Sequence, residues 1–331
     1  MKIARYNIQT EPVTLARTGV LLGEEMIGDL RAGYAAYLAE TANDPQAREI
    51  AAMRIPPNVA EMLALGRLAH EAITVTTNWL LRLMKENPAA KGLAGEPLFS
   101  PLANSRFHAP VRPNKFIAVS QNYHSPVKQL VHEKGQVPSC WIKTGNTIIG
   151  PHRDVVKPAA VKQLDYETEL VIVISKRCKN VPEDRAYEVI FGYLVANDIS
   201  ARDVGNIEHA VGSRLLAKMF DTFCPMGPWI VTKEEIPDPM NLRIRTTVNG
   251  ELRQTGCSRD MIWNIPQLVA YASQMTLDPG DLIMTGTPIT ESGGKDRFLN
   301  SGDVVVSEIE GIGHLRNKVV DDVAKEVSWQ W

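Results

Sequence analysis

The residues best suited to chemistry lie in the stretch Asp165-Tyr166-Glu167-Thr168-Glu169-Leu170, which runs directly into the apolar run Val171-Ile172-Val173-Ile174. Side chains alternate along a strand, so Glu167 and Glu169 share one face, with Cα atoms about 6.5 Å apart. Two anions that close, entering an apolar strand, repel each other unless something neutralises them. A divalent cation does so economically. Asp198 offers a third carboxylate, where the run Phe191-Gly192-Tyr193-Leu194-Val195-Ala196-Asn197 ends in a loop. Three carboxylates with open positions suit a hard cation, Mg²⁺ or Mn²⁺, and Ca²⁺ also fits. Glu-x-Glu at the start of a strand also occurs as a solvated edge, so spacing alone leaves both readings open.

These residues need a frame of strands. Lys115 to Val119, Leu170 to Ile174, Phe191 to Ala196, Asp281 to Thr285 and Val304 to Ile309 all read as strands. The Leu170 run is nearly all apolar, as expected of a strand covered on both faces. Leu242 to Val248 and Glu251 to Gln254 flank Asn249-Gly250, a hairpin signal, because a type I′ turn needs positive φ at both central residues. The first hundred residues read differently. Val13 to Leu22 is expected to form two strands around a turn near Thr18-Gly19, with a second turn at Glu24-Glu25. A helix follows from Ile27, with Leu30, Tyr34, Tyr37 and Leu38 on its apolar face. A second helix is expected from an Asn58 N-cap to Met84, closed by Asn87-Pro88. A loop rich in Gly, Pro, Ser and Asn spans Pro88 to Asn114. The reading is an α+β protein, mostly β, divided into a small α/β domain at 1–100 and a larger catalytic domain at 101–331.

Composition excludes several classes. Lys plus Arg number 36 and Asp plus Glu 38 in 331 residues, a net charge of −2 that gives no pull toward nucleic acid or an anionic membrane. Cys140, Cys178, Cys224 and Cys257 form no CxxC pair, so they read as core residues rather than zinc ligands or a disulfide framework. There is no run of about 18 apolar residues that could span a membrane and no signal-peptide-like start, so a cytoplasmic location is expected. Dinucleotide, phosphate-loop and nucleophile-elbow motifs are all missing.

Taken together, the motifs resemble the fumarylacetoacetate hydrolase family. Asn122-Tyr123, the stretch from Asp165, Gly192-Tyr193, Asn197-Asp198-Ile199-Ser200-Ala201-Arg202-Asp203 and Lys218-Met219-Phe220-Asp221 occur in the family's order. Gly227-Pro228, Val248-Asn249-Gly250, Pro279-Gly280-Asp281, Gly286-Thr287-Pro288 and Gly302-Asp303 follow. The similarity spans about residues 112 to 320, and Met1 to Ser100 resembles, more loosely, the leading domain of long bacterial members. The resemblance implies a mixed β-sandwich roll, a homodimer, and a metal held by Glu167, Glu169 and Asp198. It implies small 2-oxo acid or 1,3-dicarbonyl substrates, in which two oxygens chelate a Lewis-acidic cation that favours enolate formation. Lys218, by itself an ordinary surface lysine, matches the family's substrate-side lysine and would support developing oxyanion charge. Arg202 would either pair with a substrate carboxylate or form a structural ion pair. Thr287, Asn122 and Tyr123 fall in matched segments and are expected to bind substrate.

The chain departs from the pattern at the water-activating pair. Pro126 and Gln129 stand where hydrolytic members carry His and Glu, and Gly205 stands where hydrolytic and decarboxylating relatives often have Gln. His124, next to the matched Asn-Tyr, is the preferred replacement base. His132 and Glu133, on an expected lid helix at 126–134, point about 100° apart and make no dyad. His209 is a looser candidate, read as lying in a loop. Two activities therefore stand close together: hydrolysis of a carbon–carbon bond in an acylpyruvate-like compound, as in catabolism of aromatics, and isomerisation or decarboxylation of a 2-oxo acid. A binding-only descendant is the third reading, and the intact carboxylate trio argues against it.

Overall fold

A computed structural model describes residues 1–12, 16–124, 136–288 and 298–323. Pro126, Gln129, His132, Glu133 and the expected lid helix therefore lie outside the described residues. The fold is α+β and mostly β, built on mixed sheets, as expected. Its largest sheet runs in the order Phe99–Pro101, Met26–Asp29, Arg17–Leu22, Lys2–Ile8, Cys224–Thr232, Ile190–Asn197, Thr168–Ile174, Leu282–Met284, Phe116–Ser120 and Ser139–Ile142. A second sheet of five strands includes the hairpin Arg243–Val248 and Glu251–Cys257 and the pair Val304–Ile309 and Gly313–Asp321. Asn249 and Gly250 turn the hairpin with φ of 53° and 85°.

The strand Thr168–Ile174 is buried along its whole length, and alternation explains why. Leu170, Ile172 and Ile174 face one core, together with Ile244, Ile309 and Leu315 of the five-stranded sheet. Val171 and Val173 face the other, with Leu30, Ile73 and Leu80 of the amino-terminal helices. Residues on either side of position 100 thus share a core. They also share the sheet, since Ile3 pairs with Ile230.

Several local expectations change. Thr18-Gly19 is not a turn: Arg17–Leu22 is one strand, and the chain reverses at Gly23-Glu24-Glu25. Gly19 is there for close packing, because a Cβ would fall 2.6 Å from Tyr6 and 2.8 Å from Ile27. The helix expected from Ile27 starts at Leu30, capped by the Asp29 carboxylate, which accepts from Ala32 N–H. The helix expected over 58–84 is two, Val59–Ala64 and Arg67–Glu86, broken where Gly66 takes a positive φ. A further short helix, Ala47–Arg54, carried too little apolar periodicity to be recognised. The loop Pro88–Asn114 contains two short strands, Phe99–Pro101 and Ser105–Phe107, that pair with amino-terminal strands. Of the cysteines only Cys224 is buried, and burial pushes its thiol up to about 12. Cys140 is exposed and the other two are half-buried. Among the described residues no helix is long and apolar enough to cross a membrane.

Candidate metal centre and substrate pocket

Strand register assembles the acidic cluster. Thr168 pairs with Asn197, so the residues just beyond, Glu167 and Asp198, meet at the sheet's end. Asp198 N–H donates to the Glu167 carbonyl at 2.8 Å, and Glu167 N–H donates to Asn197 Oδ1 at 2.8 Å. Glu167, Glu169 and Asp198 each bring a carboxylate oxygen to within 4.8 Å of the others, the only such group among the described residues. Glu169 and Asp198 are essentially inaccessible, whereas Glu167 is partly open.

Cations surround this trio. Lys218 Nζ, on the short helix Leu216–Met219, lies 2.5 Å from Glu167 Oε2 and 2.6 Å from Asp198 Oδ2, and 5.5 Å from the centre of the Trp141 ring. Lys143 follows the strand Ser139–Ile142, and its Nζ lies 2.6 Å from Asp198 Oδ1 with both side chains wholly buried. Arg202 donates from Nε to Asp165 Oδ2 at 2.8 Å and from Nη2 to Glu167 Oε1. Gly286 N–H donates to Glu169 Oε2 at 2.7 Å. Four carboxylates thus meet three cations, which leaves one negative charge to balance.

That imbalance falls on Glu169. Burial, reinforced by Asp198 and Glu167, pushes its carboxyl well above the usual range. Burial works the same way on Glu167, but Arg202 and Lys218 outweigh it and hold the group down to about 2. Burial would lower Lys218, yet Asp198 and Glu167 raise it. A divalent cation fits the donor set, which is all oxygen and converges from two strand ends. Carboxylate oxygens have two lone pairs each, so they can take an N–H and a cation together. Glu167, Glu169 and Asp198 would hold it.

The sign of the pH dependence follows. Glu169's raised value means the metal-free fold binds a proton that the unfolded chain releases. That contribution to stability is full at low pH and fades as pH rises above the usual carboxylate range. Glu167 contributes the opposite way, and only below pH 4.5, where its stabilisation is lost as pH falls toward about 2. A cation requires ionised Glu169, so its binding displaces the proton and strengthens with pH. Mn²⁺ should therefore raise the melting temperature more at pH 8 than at pH 5. An equal or larger shift at pH 5, read by calorimetry, would contradict this assignment.

Glu167 and Glu169 open onto a cavity of about 430 Å³ whose lining also includes Lys218, Arg202, Tyr123, Trp141 and Thr287, with Asp198 buried behind them. Of the other candidates, Arg202, Thr287 and Tyr123 lie on this lining, and Asn122 and His124 do not. Arg202 touches the cavity, but its guanidinium is committed to Asp165 and Glu167, the structural ion-pair alternative. Thr287 donates from Oγ1 to the Thr168 carbonyl and accepts from Gln254 Nε2, both at 2.9 Å. Asn122 is wholly buried and off the described lining. Its amide bridges the carbonyls of Trp263 and Thr285, at 3.0 and 2.7 Å. Tyr123 forms part of the wall, with its phenol pushed up by burial. His124 is exposed and off the described lining, its backbone N–H tied to the Asp260 carbonyl at 2.9 Å. His209 does line the cavity, from the helix Arg202–Ala210 rather than from a loop. Gly205, on the same helix, leaves the wall open, with only Ala217 Cβ 3.4 Å from where its own Cβ would stand. Lys143 escaped sequence reading altogether, although the family order placed its neighbours.

The site is thus an all-oxygen donor set at the end of a mixed sheet, backed by buried lysines and suited to a divalent cation. Residues 115–320, well over half the chain, match the family described as fumarylacetoacetate (FAA) hydrolase C-terminal. The chain belongs to the fumarylacetoacetate hydrolase family. It is 39% identical over 236 residues to a human mitochondrial oxaloacetate tautomerase, covering 70% of this chain and 75% of the relative. It is 44% identical over 204 residues to a 4-hydroxyphenylacetate degradation bifunctional isomerase/decarboxylase of Salmonella dublin, covering 61% of this chain but only 46% of that protein. The crystal structure of maleylpyruvate hydrolase from Sphingobium sp. SYK-6 is similar with a TM-score of 0.69 and 31% identity, covering 97% of this chain and all of that one. Another structure of that hydrolase, 30% identical, holds manganese(II) and pyruvate.

Proposed function

We propose that this chain is a divalent-metal-dependent hydrolase that cleaves a carbon–carbon bond in an acylpyruvate-like 2-oxo acid or 1,3-dicarbonyl compound, in catabolism of aromatic or related compounds. The observation that carries the proposal is the trio Glu167, Glu169 and Asp198, with Lys218 against it, at the base of a 430 Å³ cavity. The end-to-end likeness to a maleylpyruvate hydrolase supports the hydrolytic reading. A bound Mg²⁺ or Mn²⁺ would supply Lewis acidity toward the oxo carboxylate. Lys218 points its ammonium at the same region and would stabilise negative charge developing on substrate oxygen. Lys143 fixes the Asp198 carboxylate, and Arg202 fixes Glu167, so both ligands are oriented before substrate arrives. Water adds to the distal carbonyl carbon, the bond to the adjoining carbon breaks, and that carbon takes a proton. The active form is a homodimer in the cytoplasm.

One observation favours a second reading, isomerisation, tautomerisation or decarboxylation without a water nucleophile. His209 is the one histidine on the described lining, and the adjacent Glu208 does not serve it. The Glu208 carboxylate instead accepts from the backbone N–H groups of Leu215, Leu216 and Ala217 at 2.6–3.2 Å. Incubation with acylpyruvates and manganese in ¹⁸O-water separates the readings. The hydrolase places label in the released carboxylic acid. Carbon dioxide, or a changed ultraviolet spectrum with no cleavage, would establish the second reading in its place.

A further inference from the structure

Lys218 sits on a single helical turn, Leu216–Met219, that its own sequence gives little means to start. Leu215, at the N-cap position, offers no side-chain oxygen, and a turn this short does not stabilise itself. Residues 211–215, which lead into it, are mostly exposed, with Leu215 at 60%, so apolar burial does not fix the entry either. The turn is capped from outside. Glu208, on the helix Arg202–Ala210, accepts from Leu215 N–H at 3.2 Å and Leu216 N–H at 2.6 Å through Oε1, and from Ala217 N–H at 3.1 Å through Oε2. Its main-chain carbonyl also accepts from Ser213 N–H, at 2.8 Å. On the far side of the turn, Lys143 Nζ donates to the Lys218 carbonyl at 2.6 Å. Charged side chains therefore grip the backbone of this turn from both ends. The helix that carries Glu208 is itself anchored at its first residue, because Arg202 is tied to Asp165 and Glu167.

We infer that Glu208 is a positioning residue, whose carboxylate acts through the Leu215, Leu216 and Ala217 amides to set where the Lys218 ammonium meets substrate oxygen. The inference deepens the proposed function and rests on Lys218 acting on the substrate there. A carboxylate on a cavity wall could instead act directly, as a base. Both Glu208 oxygens are already taken by amides, which favours the indirect role. Bonds from N–H groups to an ionised carboxylate are the stronger kind, so the turn loses its main restraint when the carboxylate goes. Misplacing a reacting group by about 1 Å can cost on the order of a hundredfold in rate.

Glu208→Ala, loaded with manganese, should lower kcat on an acylpyruvate by about ten- to hundredfold, with KM and manganese affinity within about twofold of wild type. Glu208→Gln fills the same volume, keeps one acceptor oxygen and should lose less. In the Lys218→Met background, Glu208→Ala should cost less than about a further twofold in kcat, because the group it positions has gone. A loss of the same size in both backgrounds overturns the positioning role and gives the carboxylate one of its own. A second measurement needs no turnover. Lysine ammonium groups are labelled with acetic anhydride and read by mass spectrometry. Lys218 should react about tenfold faster in Glu208→Ala than in wild type, with Lys115 unchanged as the reference. Unchanged labelling at Lys218 overturns the inference whatever the kinetics show. If the wild type turns over no acylpyruvate, the proposed function fails, and the labelling alone decides whether Glu208 places the lysine.

Discussion

Glu169→Gln should abolish divalent-cation binding at the site and lower turnover by about a thousandfold or more, because the proposed chemistry depends on the charge that a cation would supply. The substitution isolates that effect. Glutamine has nearly the same volume, and its side-chain oxygen can still accept from Gly286 N–H, 2.7 Å away in the native protein. Glu169 is buried, and burial together with Asp198 and Glu167 pushes its carboxyl well up, which favours in the metal-free protein the neutral form that glutamine imitates. The metal-free melting temperature of Glu169→Gln should therefore match or exceed that of the native chain. What disappears is the stabilisation by Mn²⁺, together with activity on any 2-oxo acid. Metal content by atomic spectroscopy and turnover on an acylpyruvate give the two readings. A variant that keeps both within about twofold of wild type would place the cation elsewhere.

Lys218→Met separates catalysis from metal binding. Its ammonium touches Glu167 and Asp198 and borders the cavity, so methionine removes charge stabilisation at the reacting oxygens. Loss of one such preorganised donor costs on the order of 10²–10³ in kcat. The same change withdraws a positive charge from beside the ligand oxygens, so Mn²⁺ should bind at least as tightly as before. Removing one partner of a buried pair leaves uncompensated charge, commonly worth about 3–5 kcal/mol. The metal-free variant should accordingly melt lower, and manganese should restore much of the difference. Titration calorimetry and single-substrate kinetics check the two halves. Unimpaired kcat would remove Lys218 from the chemistry, and lost manganese binding would make its role structural.

The two variants together bear on why the cluster is built from opposed charges. With the trio alone, three buried anions would repel each other. With Lys143, Lys218 and Arg202 in place, the ligands are held in position by cations that do not leave, and the remaining imbalance is close to what one divalent ion and one anionic substrate would settle.

The sequence by itself determined the local chemistry. An i, i+2 pair of glutamates leading into an apolar run can only share a face of an extended strand, and the run from Leu170 to Ile174, with no polar residue, can only be covered on both sides. The Asn249-Gly250 turn, the Asn58 and Asn87 helix ends and the order of the family's motifs were legible for the same reason, because each depends on near neighbours in the chain. Long-range pairing decided the rest. Lys143 lies 55 residues from the Asp198 it neutralises, and nothing around Trp141-Ile142-Lys143 marks it as a buried ammonium. Only the folded chain shows that Arg202 is taken by Asp165 and Glu167 and that Asn122 and Thr287 are held by backbone carbonyls. The same is true of Glu208, which braces the turn bearing Lys218 by accepting from the Leu215, Leu216 and Ala217 amides. The amino-terminal segment read as a separate unit from its composition, yet its strand Lys2–Ile8 joins Cys224–Thr232 through bonds that any sequence could make, since main-chain pairing carries no side-chain code. Alternation and capping are written in neighbouring residues, whereas which distant strand, charge or backbone group will meet them is settled only when the two cores close.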